Sequence, residues 1–234
     1  MNEEFSIKKI AHIVSDFPTK FGIPRQSGIV EELKAKIIFE PEYRDQNAVR
    51  GLEGFSHIWL IWQFSEAVRS DWSPTVKPPR LGGNTRMGVF ATRSPFRPNP
   101  IGLSLVRLEK IEYTKNCGPV LHVSGADLLT NTPIYDIKPY LPYVDCRPEA
   151  TGGFAATYYD YALQVEIPSD CMDLIPPSKR DALIHVLKQD PRPSYQNDPS
   201  RIYGMEFAGL EVKFYVQGTT LTVHSIEPVA DTLR

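Results

Sequence analysis

"IGLSLVRLEKI", residues 101–111, decides how this chain is read. Ile101, Leu103 and Leu105 recur at every second position, the period of a strand whose alternate side chains share a face. Upstream, "FSIKKIAHIV" (5–14) repeats the period and "FSHIWLIWQF" (55–64) keeps it roughly, so all three read as half-buried or fully buried strands. Downstream, "TKNCG" (114–118) and "TNTP" (130–133) carry the Asn, Gly and Pro chemistry of tight connections. Leu103 to Ile137 is therefore expected to form an antiparallel meander. The 21 prolines, paired at Pro78-Pro79 and Pro176-Pro177, argue against long helices and for strands joined by stiff loops.

Composition shifts at "VDCRPEATGGFAATYY" (144–159), where Gly152-Gly153 and small residues follow the last of these strands, placing a boundary near residue 150. Residues 151–234 then form a small α+β unit beside a β-rich unit of residues 1–150. "YALQVEI" (161–167) reads as a strand. In "PPSKRDALIHVLKQDP" (176–191) Ser178 is expected to cap a helix with Asp181 at its third position and Pro191 beyond its end. Leu183, Ile184, Val186 and Leu187 form its buried side. Leu210, Val212, Phe214 and Val216 alternate up to Gln217-Gly218, and the chain returns through Leu221 and Val223 as a hairpin.

A hydrophobic fraction of 41% with 23% charged residues describes an ordinary soluble protein, and no apolar run approaches the roughly 20 residues of a membrane-spanning helix. "MNEEFSIKKI" is acidic where a secretory leader is basic, which implies a cytoplasmic address. Cys117, Cys146 and Cys171 are odd in number and far apart, as reduced thiols would be. The five histidines show no ligand spacing, so no metal is implied. Neither G-x-G-x-x-G, G-x-x-x-x-G-K-[ST] nor G-x-S-x-G occurs, which argues against a doubly wound nucleotide fold and the commonest hydrolases.

Lys77 to Leu108 holds Lys77, Arg80, Arg86, Arg93, Arg97 and Arg107 and no Asp or Glu, inside a chain of formal charge −2. Arginine suits bidentate recognition of phosphate or carboxylate. Gly82-Gly83-Asn84 can expose backbone N–H groups, and "SPFRPNP" (94–100) holds Phe96, Arg97 and Asn99 on a proline-stiffened frame. These groups are expected to frame an electropositive hollow for a folded RNA or a nucleotide rather than to coat DNA. In "FGIPRQSG" (21–28) Arg25 and Gln26 are either site residues or surface punctuation. In "TPIYDIKPYLPY" (132–143) Asp136 and Lys138 share a strand face, as a simple ion pair or as an acid/base and a cation beside a cleft. Arg192, Tyr195, Arg201 and Tyr203 interleave charge and ring in the pattern of single-stranded RNA contacts, a pattern also common in loops.

"PRQ" (24–26), "VRGLEGFSHIWLI" (49–61), "KPPRLGGNTRMGVFATRSPFRPNPIGLS" (77–104) and "DIKPYLPY" (136–143) together resemble the TsaA-like (TrmO) family, and "QDPRPSY" through "VHSIEP" resembles the C-terminal domain of its bacterial members. The resemblance implies tRNA methyltransferases that use S-adenosylmethionine to methylate N6 of threonylcarbamoyladenosine at position 37. It implies a mainly β fold, a single-sheet antiparallel β-barrel with a smaller α+β C-terminal domain that contacts tRNA, and a homodimer with its cofactor pocket near the subunit interface. Cofactor contacts carried over fall on Arg25, Gln26, Ser27, Arg93, Leu103, Thr130, Asn131, Thr132 and Pro133. The resemblance places further cofactor contacts at Ser65 and Glu66, where the family carries His-Gln, and backbone contacts are those that can survive that change.

Methyl transfer from a sulfonium is an in-line displacement, catalysed largely by alignment. The urea-like acceptor nitrogen must lose its proton at or before transfer, which calls for a base or a positioned water. Asp136 is the candidate, as base or as orienter, with Tyr140 as helper and Lys138 pulling against proton acceptance. Arg97 is assigned to the threonyl carboxylate. Arg80, Arg86, Asn99, Arg192, Tyr195 and Tyr203 are assigned to the RNA. Two other readings stay open: a noncatalytic RNA-binding β-barrel, and a methyltransferase with a different acceptor.

Overall fold

The computed structural model describes residues 5–69, 71–78, 81, 85–158, 161–193 and 198–229. Eight strands precede residue 140: β1 (Ala11–Val14), β2 (Lys34–Phe39), β3 (His57–Gln63), β4 (Thr75–Val76), β5 (Met87–Gly88), β6 (Ile101–Thr114), β7 (Gly118–Ser124) and β8 (Pro133–Pro139). Among the described residues β4 and β5 pair only with each other. The other six close into an antiparallel barrel in the order β1-β2-β7-β6-β3-β8, with β8 returning to β1. Closure leaves no unpaired sheet edge around the wall.

Period two holds along β6, but its face is the reverse of the one the apolar letters suggest. Gly102, Ser104, Val106 and Leu108 line the interior, while Ile101 is 42% and Leu103 53% exposed. The cause is Trp62 on β3, whose pairing partner is Gly102. Its ring lies so close to Gly102 that a Cβ there would fall inside van der Waals contact, and its Nε1–H donates to Ser104 Oγ at 3.0 Å. A buried indole leaves room beneath it for glycine and serine alone, and the larger residues turn outward.

The expected meander is half correct. β6 and β7 form a hairpin, but β8 does not join β7; it crosses to lie between β3 and β1. Residues 125–132 are too long for a tight turn, and they bury Ala126 and Leu128 across the end of the barrel. Ser15 holds them there, its N–H donating to Thr130 Oγ1 at 3.2 Å and its Oγ to the Leu128 carbonyl at 2.7 Å.

After a four-residue helix α1 (Pro142–Asp145) come β9 (Gln164–Glu166), α2 (Ser169–Leu174), α3 (Pro177–Lys188), β10 (Tyr203–Phe207), β11 (Leu210–Gln217) and β12 (Thr220–Pro228). The last three strands and β9 form a sheet ordered β10-β11-β12-β9. The hairpin falls as expected, with Gly218 at φ 60° in its turn. Ser178 does not cap α3: Pro176 occupies the cap and Pro177 the first turn, whose preset φ starts the helix without a side-chain cap. Its buried face is Ala182, Leu183, Val186 and Leu187, and Ile184 is only half-buried.

The second core is not made of the second half alone. Phe17, Val30 and Leu33, from the β1–β2 connection, are buried among Leu183, Leu187, Phe207, Phe214 and Leu221, with Phe21 and Ile23 packed against them. Phe17 meets Phe207 edge to face at 5.4 Å between ring centroids. Gly22, at φ 93°, passes so near Met205 that a Cβ would sit 2.6 Å from Met205 Cε. Lys179 on α3 holds both Asp16 carboxylate oxygens, at 2.6 and 2.7 Å, and His185 lies 2.9 Å from Glu32. No helix among the described residues is long and apolar enough to cross a membrane.

Candidate functional site

Three connections meet where β3 ends and β8 begins: residues 15–33, 64–100 and 125–132. Ser27 Oγ accepts the N–H of Leu105 at 3.1 Å, on the part of β6 that precedes its pairing with β7. Gly28 N–H donates to the Gly125 carbonyl at 2.9 Å. The Arg93 guanidinium donates to Gln26 Oε1, and Gln26 Nε2 to the Arg25 carbonyl. Lys20 Nζ reaches the Glu66 carbonyl at 2.8 Å, in the 3-10 turn Ser65–Ala67 that follows β3. Thr130 N–H donates to the Phe17 carbonyl at 2.8 Å and Asn131 N–H to that of Ile13 at 2.7 Å. Gln26, Ser27, Glu66, Arg93, Thr130 and Asn131, distant in sequence, are thus knit into one rim. Asn131 sits at φ 65°, a left-handed conformation that its side chain tolerates.

Two side chains in that rim are occupied structurally. Thr132 is buried with its hydroxyl on the Leu129 carbonyl at 2.7 Å, which locks the turn. Thr130 Oγ1 takes the Ser15 N–H, and Pro133 pairs with His12 of β1. These positions can offer a ligand backbone groups.

Beneath the rim lies an acid that the sequence reading missed. Asp127 Oδ1 accepts from Ser104 Oγ at 2.6 Å, and Ser104, itself wholly buried, accepts from Trp62, giving a chain from the barrel interior to the rim. Burial pushes the Asp127 carboxyl above its usual range against the pull of Ser104, its own backbone and Arg93. Its only signal in the sequence is an acid inside the apolar run "VSGADLL" (123–129).

Outside the barrel, register places the remaining candidates in rows. Leu103 pairs with Ile61 and Ile61 with Asp136; Leu105 pairs with Trp59 and Trp59 with Lys138. Leu103 and Asp136 are therefore two strand spacings apart, about 10 Å, on one outer face. Lys138 Nζ lies 2.9 Å from Asp136 Oδ2, and Ile137 N–H donates to Asp136 Oδ1 at 2.9 Å. Tyr140 continues past β8, its ring 6.0 Å from that of Trp59.

The RNA candidates separate sharply. Arg86 is exposed and donates to Thr75 Oγ1 at 2.8 Å, across the β4–β5 ribbon. Arg97 is half-buried and donates to the Thr92 carbonyl at 3.1 Å, which fixes the proline-framed loop; Asn99 is exposed. Arg192 and Tyr203 are corrections. Arg192 is 8% exposed and holds Asp190 through two hydrogen bonds of 2.8 and 2.9 Å, and Tyr203 is buried between Phe214 and the rest of the second core. Neither side chain is presented to solvent. Arg80, Tyr195 and Gly82-Gly83-Asn84 lie outside the described residues.

Among the described residues the arginines of this stretch do not enclose a hollow within one chain. A cavity of about 480 Å³ opens among Ile10, Phe39, Tyr43, Arg50, Phe55 and Asp136, and none of Arg86, Arg93 and Arg97 lines it.

Residues 12–146 match the tRNA-methyltransferase O N-terminal domain and residues 161–229 the TrmO C-terminal domain. The tRNA (adenine(37)-N6)-methyltransferase of Escherichia coli K12 is 38% identical over 232 residues, 96% of this chain and 98% of its own. The enzyme of the same name from Eikenella corrodens is 46% identical over 75% of this chain and 98% of its own. The crystal structure of TrmO from Pseudomonas aeruginosa superposes with a TM-score of 0.76 at 32% identity, covering 96% of this chain and all of that one.

Proposed function

The chain belongs to the tRNA-methyltransferase O family, and from that premise we propose that it transfers a methyl group from S-adenosylmethionine to N6 of threonylcarbamoyladenosine at position 37 of the tRNA anticodon loop. The observation that carries this reading is the rim itself: three connections joined by Gln26–Arg93 and Gly28–Gly125, with Ser27 tied to Leu105 of β6, beside an outer face that holds Leu103 and Asp136 in one row. An adenosyl sulfonium needs an apolar wall, backbone donors and acceptors for its base, and a cation for its carboxylate. Ile101, Ile61 and Leu103 supply the wall, the turns at 25–28 and 130–133 the backbone groups, and Arg93 the cation. Bound there, the cofactor supplies a methyl group already activated on sulfur.

The chain's own residues do the rest. Asp136 and Tyr140 orient the acceptor nitrogen, and its proton leaves to Asp136 or to a water that Asp136 positions, while Lys138, 2.9 Å away, fixes the carboxylate and draws against proton acceptance. Arg97 meets the threonyl carboxylate; Arg86, Arg80 and Asn99 meet phosphates. The exposure of Ile101 and Leu103 supports a homodimer in which a second copy covers the outer face and turns the open rim into a pocket. Its place is the cytoplasm, with its tRNA.

Incubation with labelled cofactor and bulk tRNA, followed by nucleoside analysis, tests the reading: label on threonylcarbamoyladenosine is expected, and label elsewhere or none overturns it. Asp136→Asn is expected to lower turnover about 100-fold or more while calorimetric cofactor affinity stays unchanged. Turnover at the wild-type rate would remove Asp136 from both roles.

A further inference from the structure

The β3–β6 connection carries an aromatic surface that neither core uses. Val89 is buried, its N–H on the Pro74 carbonyl at 2.9 Å, and the 3-10 turn Val89–Ala91 throws the next ring outward. Phe90 is 73% exposed and Trp72 53%, yet the two rings meet at 6.2 Å between centroids, inclined by 30°. Nearby in the same connection Arg69 lies over the exposed ring of Phe96, its Cζ 3.9 Å from the centroid. Large rings held together in water expose apolar area that folding would otherwise hide, so something covers them in use.

The charge around them favours an anion-bearing partner. Among its described residues this connection carries Arg69, Lys77, Arg86, Arg93 and Arg97 against only two acids, Glu66 and Asp71. Rings beside guanidinium groups match unpaired bases on a phosphate chain: each base has a π-face to stack, and each phosphate a charge to neutralise. We infer that Trp72 and Phe90 form a stacking platform for an unpaired base of the RNA, with Arg69–Phe96 as a second step beside it. The inference rests on the proposed tRNA substrate. It also relocates the stacking role that the interleaved sequence around Tyr203 suggested, since that ring is buried.

The test is a Trp72→Ala/Phe90→Ala double variant, with Trp72→Phe/Phe90→Tyr as its conservative counterpart. Fluorescence anisotropy reads affinity for a synthetic anticodon stem-loop and for a blunt RNA duplex of equal length, without cofactor. A loss of about ten-fold or more on the stem-loop alone, restored in the aromatic variant, is expected. Unchanged calorimetric cofactor affinity and circular dichroism would accompany it. Wild-type stem-loop affinity in the double variant overturns the inference, as does equal loss on both RNAs. A change in oligomeric state by light scattering with RNA affinity intact overturns it too, and makes the patch a protein contact. Because no methyl transfer is read, failure of the proposed reaction would show separately, as absent label in wild-type tRNA.

Discussion

Two connections at the same end of the barrel have opposite constructions. The one between β1 and β2 sinks Phe17, Val30 and Leu33 into the second core, and ion pairs to α3 hold it at Asp16 and Glu32. The one between β3 and β6 buries Val89 but leaves Val68, Trp72, Phe90 and Phe96 in solvent. The difference matches what each would touch. A small cofactor needs donors and acceptors fixed before it arrives, because ordering them on binding would subtract from its affinity. A polymer with unpaired bases needs faces left open to take them.

The contrast breaks most visibly at Phe207. Phe207→Ala removes the ring that meets Phe17 and is expected to lower stability by about 3–5 kcal/mol in urea unfolding. Cofactor affinity should weaken with it, while stem-loop affinity of the folded fraction holds; equal weakening of both would end the contrast. A smaller effect comes from acid. Burial raises the Asp190 carboxyl, but the hydrogen bonds and charge of Arg192, with the Tyr161 hydroxyl, outweigh it and hold it below the usual carboxylate value. A lowered folded pKa adds stability above the unfolded value of about 3.9 that is lost as pH falls through the folded one. Asp190 lines a small cleft against Gly22, Pro24 and Arg25, so this loss should loosen the β1–β2 connection. Unfolding between pH 5 and 2 is expected to lose the second core first in wild type, and Asp190→Asn should flatten that limb. The smallest effect is at Arg86, exposed and outside both cores. Arg86→Ala should leave thermal stability alone and lower the salt slope of tRNA binding by about one.

Where the sequence was legible, local period carried the information. Val212 and Phe214 alternate inward along β11 as their spacing says. Period could not say which face of β6 turns inward, because that depends on Trp62, forty residues earlier and on another strand. Nor could it pair β8 with β1 and β3 rather than β7, since closure of a barrel is a contact between chain-distant strands. The site divides in the same way. "PRQS" and "TNTP" were visible as motifs, but the meeting of Gln26 with Arg93 and of Thr130 with Phe17 is tertiary. Asp127 was hidden because one acid in an apolar run reads as a strand end. Arg192 and Tyr203 misled because charge and ring in a loop look alike whether they face water or a core.

The buried β1–β2 connection also governs how the molecule can be divided. Scissors applied near residue 150, where glycines invite a cut, would strip the cover from Phe17, Val30 and Leu33 and leave the barrel half trailing a greasy flap. The other half would open a hole where those side chains had been. Neither fragment would keep its present packing, and a dissection that preserves the second core would have to carry residues 15–33 across with the C-terminal piece.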